Sequence, residues 1–242
     1  MSDTVVLVPL DGSQSALSAL PIARRMAELG GGVLEVGAGD SAEAILAAAA
    51  DRGATLIVMA AHSGDSQPAG AIGEAAQAVL GGAQCPVVLV DPSQAPGGWA
   101  LRRVLALHDG SPSVSDALRP ATELAHEVGA EFIVLQVACD ECAEETGSIA
   151  PPVYVDQVQH SWPAWSKEFL HRLGSVCQLT DVPVRLLVAH GEPAAETVRV
   201  AGEESADLIV VAWAGRWDDA ATLKGLLRGA PCPIMVTHVR AS

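Results

Sequence analysis

Cysteine and histidine carry the strongest intrinsic chemistry in this chain, and their spacing limits what they can do. Cys139-Asp140-Glu141-Cys142 has the two-residue gap of redox and metal-binding thiol pairs. Glu144 and Glu145 stand in the same stretch, and carboxylates beside a thiol oppose the thiolate that such chemistry needs. A tetrahedral zinc would also require two further ligands, and His160 and His171, eleven residues apart, match no ligand spacing. The pair reads as surface thiols without a role. The competing reading is a cysteine-based redox or metal protein, which would carry stoichiometric zinc or a Cys139–Cys142 disulfide. Cys85 and Cys232 each precede a proline that opens an apolar run, so both read as small buried hydrophobes, and Cys177 is isolated.

The seven histidines form no His-Glu-x-x-His pattern, since His126-Glu127 lacks the second histidine. There is no Gly-x-Ser-x-Gly elbow and no Gly-x-x-x-x-Gly-Lys loop. His108, beside Asp109, ends the apolar run Val104–Leu107, and ligands of α/β sheets bind at such strand ends. It reads as a loop hydrogen-bonder more readily than as a catalyst. Gly37-Ala38-Gly39-Asp40-Ser41-Ala42 mimics a dinucleotide fingerprint. The next apolar run, however, ends Met59-Ala60-Ala61-His62 and offers no acid for a ribose hydroxyl. A helix start fits better, with Asp40 as cap and Glu43 completing a capping box.

The elements that position these residues come from an apolar, acidic chain. Of 242 residues, 50% are hydrophobic, 18% charged and only 3% aromatic, so the core is built from Ala, Val, Leu and Ile. Acidic residues outnumber basic ones 29 to 14, a net charge of −15, with no basic cluster longer than Arg24-Arg25 or Arg102-Arg103. Binding to nucleic acid or to an anionic membrane surface is excluded on that balance. No apolar run approaches the ~20 residues that span a bilayer. Met1-Ser2-Asp3-Thr4 is no secretory signal, which gives a cytoplasmic expectation.

The sequence repeats itself. Val5–Ser13 recurs as Val104–Ser111, with Asp11 and Asp109 offset by 98 residues. Gly39-Asp40-Ser41-Ala42 recurs as Gly191-Glu192-Pro193-Ala194, and Ala54–Ala60 as Ala206–Ala212, both at offset 152. Cys85–Val90 recurs as Cys232–Val236 at offset 147. Four blocks in one order mean two copies of one unit. They divide the chain into residues 1–91, a Pro/Gly-rich linker over 92–99, and residues 100–242. Short Val/Ile/Leu runs alternate with helical stretches, which predicts parallel sheets buried on both faces in an α/β fold. The first copy reads as strand Val5–Leu10, helix Gln14–Leu29, strand Val33–Val36, helix Ala42–Asp51, strand Leu56–Ala60, helix Gly73–Leu80 and strand Val87–Val90. The second copy carries an extra strand, Phe132–Val137, and an extra helix near Val155–Leu173. Four strands are expected in the first copy and five in the second. Trp162, Trp165 and Phe169 have helical spacing and face either the core or a second subunit.

These blocks in this order resemble the universal stress protein family in its tandem two-domain form. The carrying motifs are the Asp-Gly-Ser turn after the first strand, the Gly-Asp-Ser-Ala and Gly-Glu-Pro-Ala helix starts, Leu56-Ile57-Val58-Met59, and the Cys-Pro pairs that open the last strands. The resemblance implies two Rossmann-like, adenine nucleotide alpha hydrolase-like parallel-sheet domains in tandem, the first truncated by one strand–helix unit. It implies that the domains pair within the chain through their last strands, Val87–Val90 and Ile234–Val236. A homodimer and an unidentified protein partner also fall within what it implies.

In that family, ATP binding tracks a loop of Gly, two residues, Gly, nine residues, then Gly-Ser or Gly-Thr. Such a loop brings backbone close to phosphate and opens a helix whose free N–H groups attract anions. In the first copy those positions hold Ala60, Ser63, Gly73 and Glu74, so two glycines are missing and a carboxylate replaces the hydroxyl. Pro9 and Asp11 do match the family's base-contacting positions. With the missing strand–helix unit, which supplies one wall of the adenine pocket, the first site reads as vestigial. In the second copy the loop is shortened to Ala212, Gly215 and the pair Ala220-Ala221, with Asp218-Asp219 nearby. Asp109 and Val137 match the adenine-contacting positions, Arg216 is a candidate to meet a phosphate, and Trp213 and Trp217 are large enough to fill a pocket. The expected cofactor-binding residues are therefore Asp109, Val137, Gly215 and Arg216 in the second domain, and Pro9, Asp11 and Gly73 in the first. No catalytic or metal-ligating residues are assigned. The resulting expectation is a cytoplasmic stress-associated protein with degenerate ATP loops, non-enzymatic, acting through a partner or a small ligand and needing no cofactor. The alternative is an adenine-nucleotide-binding switch or slow ATPase that uses the second domain.

Overall fold

A computed structural model describes residues 4–38, 41–62, 72–93, 98–138 and 182–239. The expected helix near 155–173, Cys139, Cys142 and Cys177 lie outside the described residues. The first half runs β1 (Val5–Leu10), α1 (Gln14–Leu17), α2 (Leu20–Leu29), β2 (Val33–Ala38), α3 (Ala42–Asp51), β3 (Leu56–Ala60), α4 (Glu74–Gly82) and β4 (Val87–Val90). The second half runs β5 (Arg103–Leu107), α5 (Pro112–Ala117), α6 (Arg119–Val128), β6 (Glu131–Ala138), β7 (Val184–His190), α7 (Pro193–Glu203), β8 (Leu208–Trp213), α8 (Ala221–Gly229) and β9 (Ile234–His238).

The expected four and five strands are present and form one nine-stranded sheet in the order β2-β1-β3-β4-β9-β8-β5-β6-β7. All neighbours are parallel except β4 and β9, which join the halves antiparallel with Val87 opposite Val236, Val88 opposite Met235 and Leu89 opposite Ile234. Parallel strands bury both faces, which explains the uninterrupted apolar runs. One face packs Leu7, Ile57, Leu89, Leu105 and Ile234 against α3, α4, α7 and α8. The other packs Val6, Val58, Val88, Val104 and Met235 against α2, α5 and α6. The period-2 alternation holds across the β4–β9 seam, so each core layer is continuous through both halves.

The truncation has a direct consequence in the sheet. By sequence, β2 corresponds to β7, because each precedes a matching helix start. In the second half β7 is separated from β5 by β6. In the first half β2 pairs directly with β1, Val5 opposite Val33 through Leu10 opposite Ala38. The sheet has closed over the lost strand, and β2 becomes an edge with Val33 and Val36 half exposed. That edge is guarded: Arg52 donates from Nη1 to the Val36 carbonyl at 3.1 Å and lies 3.9 Å from Glu35. A charged side chain on an outer acceptor discourages strand addition.

Two expectations are corrected. The single helix over 14–29 is two helices, α1 and α2, and the second half breaks at the same place, between α5 and α6. Pro21 and Pro120 are the cause. A proline inside a helix has no N–H to donate and crowds the carbonyl four residues back, here those of Leu17 and Asp116. Each proline instead occupies the first turn of a new helix. The cap of α3 also differs by one residue. It is Ser41, whose Oγ accepts from the Ala44 N–H at 3.3 Å.

Candidate functional site

The C-terminal ends of parallel strands are where an α/β sheet leaves a crevice. In the second half, β5, β6 and β8 end around a cavity of about 230 Å³ lined by Leu107, Asp109, Val114, Val137, Val211 and Thr222. The expected Asp109 and Val137 are both in its wall. Asp109 closes the turn after β5 by accepting the Ser111 N–H on Oδ1 at 2.8 Å, which leaves Oδ2 free of partners among the described residues. A second cavity of about 200 Å³ shares Val211, Ala212 and Thr222 with the first and adds Trp213, Arg216 and Asp219. The two form one crevice running from β6 to the start of α8.

His108 lies in this wall but is 2% exposed. Its Nδ1 accepts the Gly110 N–H at 2.7 Å, so the proton sits on Nε2, 2.8 Å from Ser115 Oγ. Both ring nitrogens are engaged in the turn. Burial pushes its pKa below the usual histidine range, with the Asp109 charge opposing, so the ring is neutral at pH 7. It is a structural hydrogen-bonder, as the sequence suggests.

The phosphate end of the crevice is different from what a triphosphate requires. Gly215 has φ +83°, so a left-handed turn follows β8. It places Arg216 in the wall, but Arg216 Nε lies 2.9 Å from Asp219 Oδ2. The cation is already matched by a carboxylate of the same loop. Trp213 is buried, donates Nε1–H to the Arg216 carbonyl at 3.2 Å and meets Trp217 edge-on at 6.3 Å between ring centroids. Helix α8 begins at Ala221 with Ala220 as an N-cap that offers no side-chain bond. Thr222, one position beyond the expected pair, lines both cavities. The sequence reading missed it because it aligned the hydroxyl position to Ala221.

In the first half Pro9, Asp11 and Gly73 also converge, around a cavity of only about 40 Å³. Asp11 repeats the turn of Asp109, accepting the Ser13 N–H at 2.8 Å, and these bonds to Ser13 hold its carboxyl below the usual range. Gly73 is the N-cap of α4 and Glu74 its first residue. Among the described residues no β2 side chain reaches this cavity, whereas β6 supplies Val137 to the other. Two substitutions fill the space. Ile45 and Met59 line the small cavity, and at offset 152 the second half has Thr197 and Val211. Thr197 turns its hydroxyl back to the Pro193 carbonyl at 2.6 Å and stays out of the crevice. Ile45 falls outside every motif and Met59 reads only as part of the strand run Leu56–Met59, so the sequence pattern marks neither as a site residue.

Comparison with known proteins agrees with this architecture. The family model described as "Universal stress protein family" matches residues 31–91 and 100–238. The chain is similar to a universal stress protein from Archaeoglobus fulgidus DSM 4304, at 17% identity and a TM-score of 0.65, covering 97% of this chain and 96% of that one. It is also similar to a functionally unknown protein from Pseudomonas aeruginosa PAO1, at 16% identity and a TM-score of 0.61, covering 98% and 83%. At these identities the likeness is one of fold. No curated protein matches the sequence.

Proposed function

Since the chain belongs to the universal stress protein family, we propose that it is a non-enzymatic, cytoplasmic stress-associated protein. Its second half takes up a small adenosine-like ligand, and its first half is closed. The carrying observation is the contrast between the two equivalent sites: about 230 Å³ with Asp109 and Val137 in the wall, against about 40 Å³ plugged by Ile45 and Met59. Asp109 Oδ2 offers an acceptor to an exocyclic amino group, and Val114 and Val137 offer apolar walls to a base. A triphosphate finds no clamp. Arg216 is committed to Asp219, and Asp218 and Asp219 bring negative charge to the place where phosphates would lie. The imidazole in the wall, His108, has both nitrogens bonded within the turn, which supports binding without hydrolysis.

In this reading the β4–β9 seam supplies, inside one chain, the pairing of two domains, and output passes through a protein partner that senses the liganded second half. One observation favours the alternative of a nucleotide switch. Thr222 lies in the first turn of α8, where no acidic residue stands, so a single phosphate could be received there. Ligand-observed NMR with adenosine and AMP, on wild type and Asp109→Ala, tests the reading. Saturation transfer to adenosine that disappears with Asp109→Ala supports it. Transfer that is equal in both proteins removes Asp109 from the site.

A further inference from the structure

A cavity of about 390 Å³ lies where the halves meet and shares no residue with either strand-end site. The first half contributes Gln84, Cys85 and Pro86, which enter β4, and the second contributes Asp116, Arg119 and Pro120 at the corner between α5 and α6. His238 closes it from the end of β9 and is itself fixed, with Nε2 2.7 Å from the Leu80 carbonyl of the first half. The cavity exists only because β4 and β9 bring the halves together, and its volume falls in the range of small-molecule sites.

Beside the polar side chains of Gln84, Ser113, Thr237 and His238, its wall holds one opposite-charge pair. Arg119 Nη2 lies 3.4 Å from Asp116 Oδ1, and neither group has another partner among the described residues. One long contact leaves the guanidinium with most of its donors and the carboxylate with Oδ2. Helix α2 starts Leu20-Pro21 where α6 starts Arg119-Pro120, so the first half has no counterpart of the Arg119 charge and the pair is not part of the shared framework. A lone anion drawn to Arg119 meets the Asp116 charge, and a lone cation drawn to Asp116 meets Arg119. A molecule with an ammonium and a carboxylate on one carbon lies antiparallel on the pair and satisfies each.

We propose that this inter-half cavity binds a small zwitterion, a free α-amino acid with a compact apolar side chain. Its carboxylate meets Arg119, its ammonium meets Asp116, and its apolar body packs on Pro86, Ala117 and Pro120. The Cys85 thiol, in the same wall, is the reporter.

The full chain is titrated with free proline and alanine, with acetate and ethylammonium as single-charge controls. The rate of Cys85 alkylation is followed by peptide mass spectrometry. With about 10 mM amino acid and a Kd near 1 mM, occupancy slows alkylation roughly tenfold. The controls leave the rate unchanged. Arg119→Gln and Asp116→Asn, both on exposed side chains, each abolish protection, while adenosine binding at Asp109 is retained. Absence of protection by either amino acid, or equal protection by acetate, overturns the proposal.

Discussion

Arg216 Nε lies 2.9 Å from Oδ2 of Asp219, three residues along the shortened loop that leads into α8. Among the described residues Arg216 is the cation that lines the phosphate end, and it is paired within its own loop. Freeing it should restore some attraction for phosphate. An exposed pair is worth about 0.2–1 kcal/mol. Asp219→Asn is therefore expected to raise affinity for AMP and ATP by up to about fivefold and to leave adenosine unchanged, measured by equilibrium dialysis. An equal change for adenosine would place Arg216 on the base rather than on phosphate.

The neutral, buried His108 makes stability depend on pH. Its pKa is lowered in the folded state by burial, so the unfolded chain binds the proton first as pH falls. This contribution is intact above the unfolded value near 6.5 and is lost progressively as pH falls toward the lower folded value. His108→Asn keeps an acceptor for the Gly110 N–H and removes the titration. Urea unfolding at about pH 7.5 and about pH 5 should show a smaller loss of stability in the variant than in wild type. Parallel losses in the two proteins would show that His108 does not contribute to the slope.

Gly225 packs against α7 so closely that an added Cβ would lie 2.3 Å from Ala194 Cβ. Pro193, next to Ala194 on α7, and Thr222, one turn before Gly225 on α8, both line the crevice beside Asp109. Gly225→Ala must push α7 and α8 apart, at a cost of about 1–3 kcal/mol. Thermal unfolding should register that loss, and adenosine affinity should fall with it. A variant with wild-type stability and binding would mean that the helices yield without moving the site.

Four of the five tryptophans lie in the second half, and Trp99 at the end of the linker donates Nε1–H to its Asp207 carbonyl at 2.9 Å, so their fluorescence reports chiefly on that half. The core layers run unbroken through β4 and β9, and Leu89 of the first half packs opposite Ile234 of the second. Leu89→Ala should cost about 2–5 kcal/mol. It should lower the tryptophan and far-ultraviolet circular dichroism midpoints together. Two separated transitions would show halves that fold independently.

The strands were legible because a parallel sheet buries both faces and leaves unbroken runs such as Leu56–Ala60 and Leu208–Trp213. The repeat offsets exposed the lost strand–helix unit. They could not show that β2 would slide into register against β1, because strand order is set by packing and not by local pattern. Pro21 and Pro120 were visible, yet the helical periodicity on either side masked the break they impose. Asp109 and Val137 were found through their motif positions. Thr222, Ile45 and Met59 were missed because their roles arise from volume and facing across the crevice.

The most direct test is calorimetric titration of ligand-free protein with adenosine, AMP and ATP with magnesium, each repeated on Asp109→Ala. The account predicts that adenosine and AMP bind with similar affinity, that both lose it with Asp109→Ala, and that ATP binds no tighter than adenosine. ATP binding at least about tenfold tighter than adenosine, about 1.4 kcal/mol of added phosphate recognition, would contradict it. The second half would then hold a triphosphate without the glycines of its loop.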